Sequence, residues 1–155
     1  MLSTYLTEDG FEKLKQELQH LCTIRRQEVA KRLREALEDG DSGIDADAEC
    51  DAARNEQAFV EGRIQELEYI LSSAQIIVDN DINDVVQIGT TVFIQEDGFD
   101  PESYTIVGAI EADPDNGRIS NESPFGKALI GHKVNDEVTI KSPQGSFVVK
   151  VLKIE

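Results

Sequence analysis

Apolar residues recur early in the chain at Phe11, Leu14, Leu18 and Leu21, in steps of three and four that mark one face of a helix. No proline interrupts residues 7–37, so the spacing predicts one long helix. Thr7 suits its N-cap, and Glu8 and Asp9 put negative charge at the positive end of its dipole. The stripe continues through Cys22, Val29, Leu33 and Ala36, but its step slips once near residues 22–25, as at a stutter. A second stripe, Ala53, Val60, Ile64, Leu67, Leu71 and Ala74, is broken only where Gln57 takes a seam position. Each stripe is narrow and flanked by charge, so neither helix buries its seam alone, and the short connection forces them antiparallel. The expected element is a helical hairpin whose arms, about thirty residues each, reach roughly 45 Å.

The period then changes. "TTVFIQ", "SYTIVGAI", "EVTIK" and "SFVVKVLKI" are rich in β-branched residues and separated by Gly, Pro, Asn and Asp, which predicts strands joined by turns. "SPFGKALIG", residues 123–131, suits a short helix capped by Ser123 with Pro124 in its first turn. These patterns predict an α+β chain in two domains, a hairpin over 1–79 and a β-sheet domain over 80–155, with a linker near 80–84.

Composition changes the picture at one place. The net charge is −16, and seven carboxylates fall between Glu38 and Asp51 before the first basic residue, Arg54. Gly40 and Gly43 mark the same stretch as the bend, so the acids gather at an expected tip near 38–51. Such a balance argues against wrapping a nucleic-acid backbone and favours a basic protein or a metal as partner. A calcium loop is excluded by register: counted from Asp39, Gly43 takes the fifth position, Ile44 the glycine position and Cys50 the last. A magnesium site completed by another molecule's ligands stays open, since Mg2+ often takes one or two protein carboxylates and keeps its waters. The alternative is a solvated acidic loop that keeps the chain soluble. Cys22, Cys50, His20 and His132 are too scattered for a zinc site, and the two cysteines fall too far apart along the arms for a disulfide. No run of about 18 apolar residues is present and the N-terminus lacks a signal pattern, so no membrane association and a cytoplasmic location are expected.

"REALEDGDSGIDADAECDAARNEQAFVEGRIQELEYIL" and "NESPFGKALIGHKVNDEVTIKSPQGSFVVKVLKIE" resemble the bacterial Gre transcript-cleavage factors nearly end to end, most specifically in "AARNEQAFVEGRI" and "SPFGKALIG". The resemblance implies a coiled-coil hairpin followed by an FKBP-like antiparallel β-sheet domain with a short helix. It implies a monomeric accessory factor rather than an enzyme. The C-terminal domain anchors at the secondary channel of bacterial RNA polymerase, and the hairpin enters that channel. Tip carboxylates then help hold Mg2+ beside a backtracked RNA 3′ end, which the polymerase's own active centre cuts. Contact with DNA arises only within that complex.

By the same resemblance, "EDGD" puts Asp41 on the first essential acidic position. Two additional residues separate it from the glutamate that matches Glu49, which leaves Asp45 and Asp47 as rivals for the second acid, with Asp45 preferred. Arg54 matches an RNA-proximal arginine, and Asn121, Ser123 and Pro124 match the polymerase-anchoring segment. Arg25, Arg26, Lys31, Arg32 and Arg34 either touch extruded RNA or form ordinary ion pairs along the arm. The unusually acidic tip keeps a second function open, that of a Gre-like inhibitor blocking the channel. A third class, an autonomous prolyl isomerase, is set aside because six Phe, three Tyr and no Trp leave little for an aromatic pocket.

Overall fold

The computed structural model describes residues 3–38, 44–78 and 84–155, with residues 44–46 described by their backbone alone. Two compact units result, one of residues 11–73 and one joining residues 1–10 to 74–155. The sequence boundaries of 1–79 and 80–155 are therefore not where the contacts divide. Residues 3–10 and 74–78 belong with the sheet unit rather than with the hairpin.

The hairpin unit is built from α1 (Glu8–His20), a π-helical turn (Leu21–Arg25), α2 (Arg26–Glu38) and α3 (Ile44–Ser73). Thr7 caps α1, its Oγ accepting from the Gly10 N–H at 3.1 Å. The π turn falls at the slip in the apolar stripe. There the Arg26 N–H bonds the carbonyl of Leu21, five residues back, and the wider turn absorbs an extra residue. Val29, Val60 and Ile64 are buried together, with Leu18, Leu21 and Cys22 packed half-buried against them. Ala36 and Ala53 are also buried, so the seam continues toward the connection. At the other end of α3 the seam takes Ile70, whereas Leu71 is half-buried. Ala74 leaves the helix and begins a strand.

The sheet unit opens with β1 (Thr4–Leu6), which pairs in parallel with β2 (Ala74–Ile76), a two-stranded ribbon absent from the sequence reading. Five further strands follow: β3 (Thr91–Glu96), β4 (Glu102–Val107), β5 (Arg118–Ser120), β6 (Glu137–Ser142) and β7 (Gly145–Ile154). They form one sheet in the order β5-β4-β3-β7-β6. Pairing is antiparallel except that β5 runs parallel to β4, so the sheet is mixed rather than wholly antiparallel. A register shift at Phe93/Ile94 bends β3 against β7. The short helix α4 (Pro124–Leu129) lies where the sequence predicts it. Val92, Ile94, Ile106, Leu129, Val138, Ile140, Val149 and Val151 close the core between helix and sheet. Residues 79–83, most of the expected linker, lie outside the described residues.

Candidate functional site

The acidic stretch is partly helical. Because α3 starts at Ile44, positions 45, 47, 49 and 51 stand on its first two turns rather than in a loop. Partial positive charge at a helix N-terminus offsets some of the repulsion among carboxylates placed there. Asp47, Glu49 and Asp51 are exposed, and none has an ion-pair partner among the described residues. Asp41 lies outside the described residues, and of Asp45 only the backbone is described.

Helical spacing sorts this set. Residues two apart do not share a helix face, so positions 45 and 47 fall on different sides of α3. Asp47, Asp51 and Arg54 follow one another at i, i+4 and i+7 and share a side of α3. Arg54 is exposed and, among the described residues, has no carboxylate partner. A guanidinium and carboxylates with unspent hydrogen-bonding capacity thus lie along one helix side, chemistry suited to a phosphate and a hard cation together.

Arg25, Arg26 and Arg32 on the first arm are engaged, whereas exposed Arg34 has no carboxylate partner among the described residues. Arg25 pairs with Glu28 at 2.6 Å and also with Glu56, and Arg32 reaches the second oxygen of Glu56 at 2.6 Å. Arg26 makes a two-pronged pair with Glu61 at 2.8 and 2.9 Å, and Arg63 does the same with Glu17 at 2.8 and 3.1 Å. The hydrogen bond from Arg26 holds the Glu61 carboxyl below its usual range, while Glu28 and Glu56 raise Arg25 above its own. Of the two readings for these arginines, ion pairing accounts for Arg25, Arg26 and Arg32, whose partners sit across the hairpin except for Glu28, three residues along from Arg25. Lys31 does stand 3.9 Å from Glu35. Sequence reasoning missed Glu56 and Glu61 because a cross-arm partner is visible only once the register of the two arms is known.

In the sheet unit, Asn121 is half-buried and its N–H donates to the Val107 carbonyl at 2.8 Å. Ser123 Oγ accepts from the Gly126 N–H at 3.0 Å and donates to the Ser120 carbonyl at 2.7 Å. The single hydroxyl proton of Ser123 is therefore already committed. Gly126 is required here, since a Cβ on it would lie 2.1 Å from the Ser120 oxygen. Pro124 stands exposed at the first position of α4. Asn121 and Ser123 fix the turn, and Pro124 is what the turn presents.

Among the described residues, no group of three or more His, Cys, Asp or Glu side chains is arranged to hold a metal by itself. Cys22 and Cys50 are free thiols. No helix among the described residues is long and apolar enough to cross a membrane.

Carboxylates at the start of α3 that have no partner among the described residues, on a helical hairpin unit carried with a small mixed-sheet unit, define an α+β protein of hairpin-and-sheet architecture. Residues 4–76 match the family described as Transcription elongation factor, N-terminal, and residues 81–155 match Transcription elongation factor, GreA/GreB, C-term. The chain belongs to the GreA/GreB family of transcription elongation factors. It is 47% identical to "Transcription elongation factor GreA" of Bacillus subtilis over 96% of this chain and 94% of the relative. It is 50% identical to the protein of the same name from Acetivibrio thermocellus, with the same coverage of both chains. Among solved structures it is similar to GreA factor homolog 1 of Thermus thermophilus, at 34% identity and a TM-score of 0.47, covering 99% of each chain.

Proposed function

We propose that this chain is a transcript-cleavage elongation factor that acts through the active site of bacterial RNA polymerase. The acidic end of its hairpin enters the secondary channel, and Asp41 with one further acid completes a Mg2+ site beside a backtracked RNA 3′ end. The observation that carries this reading is the set of exposed carboxylates on the first turns of α3, with Arg54 on the side of Asp47, all without an ion-pair partner among the described residues. The donor set fits Mg2+, because it offers hard oxygens only and the ion commonly takes one or two carboxylates while keeping water. When bound, Mg2+ supplies charge stabilisation to phosphoryl transfer. Asp41 and the second acid hold the ion, and Arg54 meets the RNA phosphates.

The second acid is Asp45 by its spacing from Asp41. Asp47 is the rival, and its shared helix side with Arg54 favours it. Asn121, Ser123 and Pro124 form the polymerase-anchoring turn, with Pro124 the contacting residue. The protein works as a cytoplasmic monomer and is an accessory factor rather than an enzyme, touching DNA only within the transcription complex. Channel blocking without cleavage is the weaker reading, since the curated relatives at 46–50% identity carry the elongation-factor name.

Stalled polymerase complexes with radiolabelled RNA test the reading. Addition of the chain at moderate Mg2+ is expected to shorten the RNA. Asp41→Asn abolishes shortening, whichever of Asp45→Asn and Asp47→Asn does the same identifies the second acid, and Arg54→Ala weakens it. Suppressed elongation with no shortened RNA at any Mg2+ level contradicts cleavage and supports channel blocking.

A further inference from the structure

Asn116 and Gly117 form the one place in the chain where glycine follows asparagine, and the other five asparagines each precede Asp or Glu. The pair lies in the turn that runs from Asp113 into β5, and Asn116 is exposed there. Asparagine amides are chemically labile, because the backbone nitrogen of the next residue can attack the side-chain carbonyl carbon. Glycine, without a Cβ, leaves that approach open. At the other asparagines an acidic side chain stands beside the attacking nitrogen instead. The local chemistry therefore singles out Asn116.

The folded turn holds both reacting groups. The Gly117 N–H donates to the Pro114 carbonyl at 3.1 Å, and the Asn116 side-chain amide donates to Asp113 Oδ2 at 2.6 Å. Around them the N–H groups of Asn116 and Arg118 share the Asp113 carbonyl, each at 3.0 Å, and the Asp113 N–H donates to the Arg118 carbonyl at 2.8 Å. Gly117 closes the turn at φ +74°. Reaction at Asn116 waits for this turn to open, which surface segments do more readily than a core. Once changed, the residue does not fit back. A carboxylate at position 116 faces that of Asp113 where the amide was bonded, with Asp115 beside it, and like charges so close repel.

We propose that Asn116 is a modification site, deamidated through Gly117 when the turn opens, and that the charge so created keeps the turn open. The Gly117 nitrogen, losing its proton to hydroxide, bonds to Asn116 Cγ. The bond from Cγ to the side-chain nitrogen breaks, and ammonia leaves with a proton taken back from water. Water then adds to either carbonyl of the cyclic imide and the ring opens to aspartate or isoaspartate, with nothing oxidised or reduced. Isoaspartate also lengthens the backbone by a methylene, which the bond between Gly117 and Pro114 does not accommodate. The effect runs on into Arg118, whose guanidinium bonds Glu111 at 3.0 Å. The site needs no polymerase and stands apart from the cleavage reading.

The test incubates the full chain in mildly alkaline buffer, with a urea-unfolded sample alongside, and locates the amide-to-acid mass gain by peptide mapping. Conversion at Asn116 is expected to exceed that at any other asparagine by about tenfold or more, and to be several-fold faster in urea. Asp113→Ala, which removes the acceptor of the side-chain amide, is expected to quicken conversion of the folded chain a few-fold, while Asn116→Gln abolishes it. Asn116→Asp, which installs the charge directly, is expected to unfold roughly 2–4 °C below wild type. That difference shrinks in acid, where the facing carboxylates take up protons. Conversion spread evenly over the asparagines, none at Asn116 in the folded chain over days that convert it fully in urea, or an Asn116→Asp chain as stable as wild type would each overturn the proposal.

Discussion

Glu111 shows how one carboxylate organises its surroundings. Its side chain is only 8% exposed and accepts from the Thr7 N–H at 2.7 Å, the Thr7 hydroxyl at 2.6 Å and Arg118 at 3.0 Å. Gly10 makes room for it, since a Cβ there would stand 2.1 Å from Glu111 Oε1. Glu111→Ala removes a buried acceptor from three donors at once, so it is expected to cost about 2–4 kcal/mol in thermal or urea unfolding. A loss below roughly 0.5 kcal/mol, the range of an unremarkable surface change, would contradict this role. Tyr104 carries a second residue-level consequence. Its bond to Glu102, together with burial, pushes the phenol up to about 12. The folded value lies above the ordinary phenol value of about 10, so this contribution to stability is present below pH 10 and is lost as the pH rises through 12. Absorbance titration near 295 nm is expected to find one tyrosine ionising near 12 that Glu102→Gln returns toward the ordinary range. None of this was legible in the sequence: Glu111 meets Thr7 across 104 positions, and a count of Phe and Tyr does not reveal that the fold gathers four of them around one pocket.

At the scale of elements, the hairpin reads from its sequence because its signal is local and periodic. The capping Thr7, the buried Val29, Val60, Ile64 and Leu67, and even the slip that becomes the π turn are visible as spacing. The strands β3, β4, β6 and β7 are legible for the same reason, and Ser123 announces α4. Missed were β1, β2 and β5, each three residues long and too short to show a period. The parallel pairing of Thr4–Leu6 with Ala74–Ile76 joins segments some seventy positions apart, which no local pattern announces. Ile64→Ala, deep in the seam, is expected to destabilise by about 2–5 kcal/mol and to lower helical ellipticity at 222 nm at temperatures where the wild type stays folded. The cross-arm ion pairs contribute less, because exposure and salt screen them. Glu61 is held below its ordinary value by Arg26, so its share of stability is present above the unfolded carboxylate value of about 4.3 and is lost as the pH falls through the depressed folded value. Urea midpoints measured between pH 5 and pH 2 should fall less steeply for Glu61→Gln than for wild type, and parallel curves would contradict the linkage.

For the molecule as a whole, the net charge of −16 is less informative than which charges remain uncommitted. Along the arms Arg25, Arg26, Arg32 and Arg63 are held by glutamates, whereas Arg54 and the neighbouring Asp47, Glu49 and Asp51 have no such partner among the described residues. The sequence located the acidic stretch at the bend between the arms, and the part of it from Ile44 onward begins α3, where carboxylates are favourable first-turn residues. It could not tell the engaged arginines from Arg54, a distinction that depends on the register of two helices. The central claim is that these free carboxylates reach the catalytic metal of the polymerase. The most direct measurement loads Fe2+ in place of Mg2+ at that site, generates hydroxyl radicals there, and maps the cuts in the end-labelled chain. The account predicts cleavage confined to residues 38–51 and lost on competition with excess Mg2+. Cuts elsewhere in the chain, or an uncut chain in a complex shown to contain it, would contradict it.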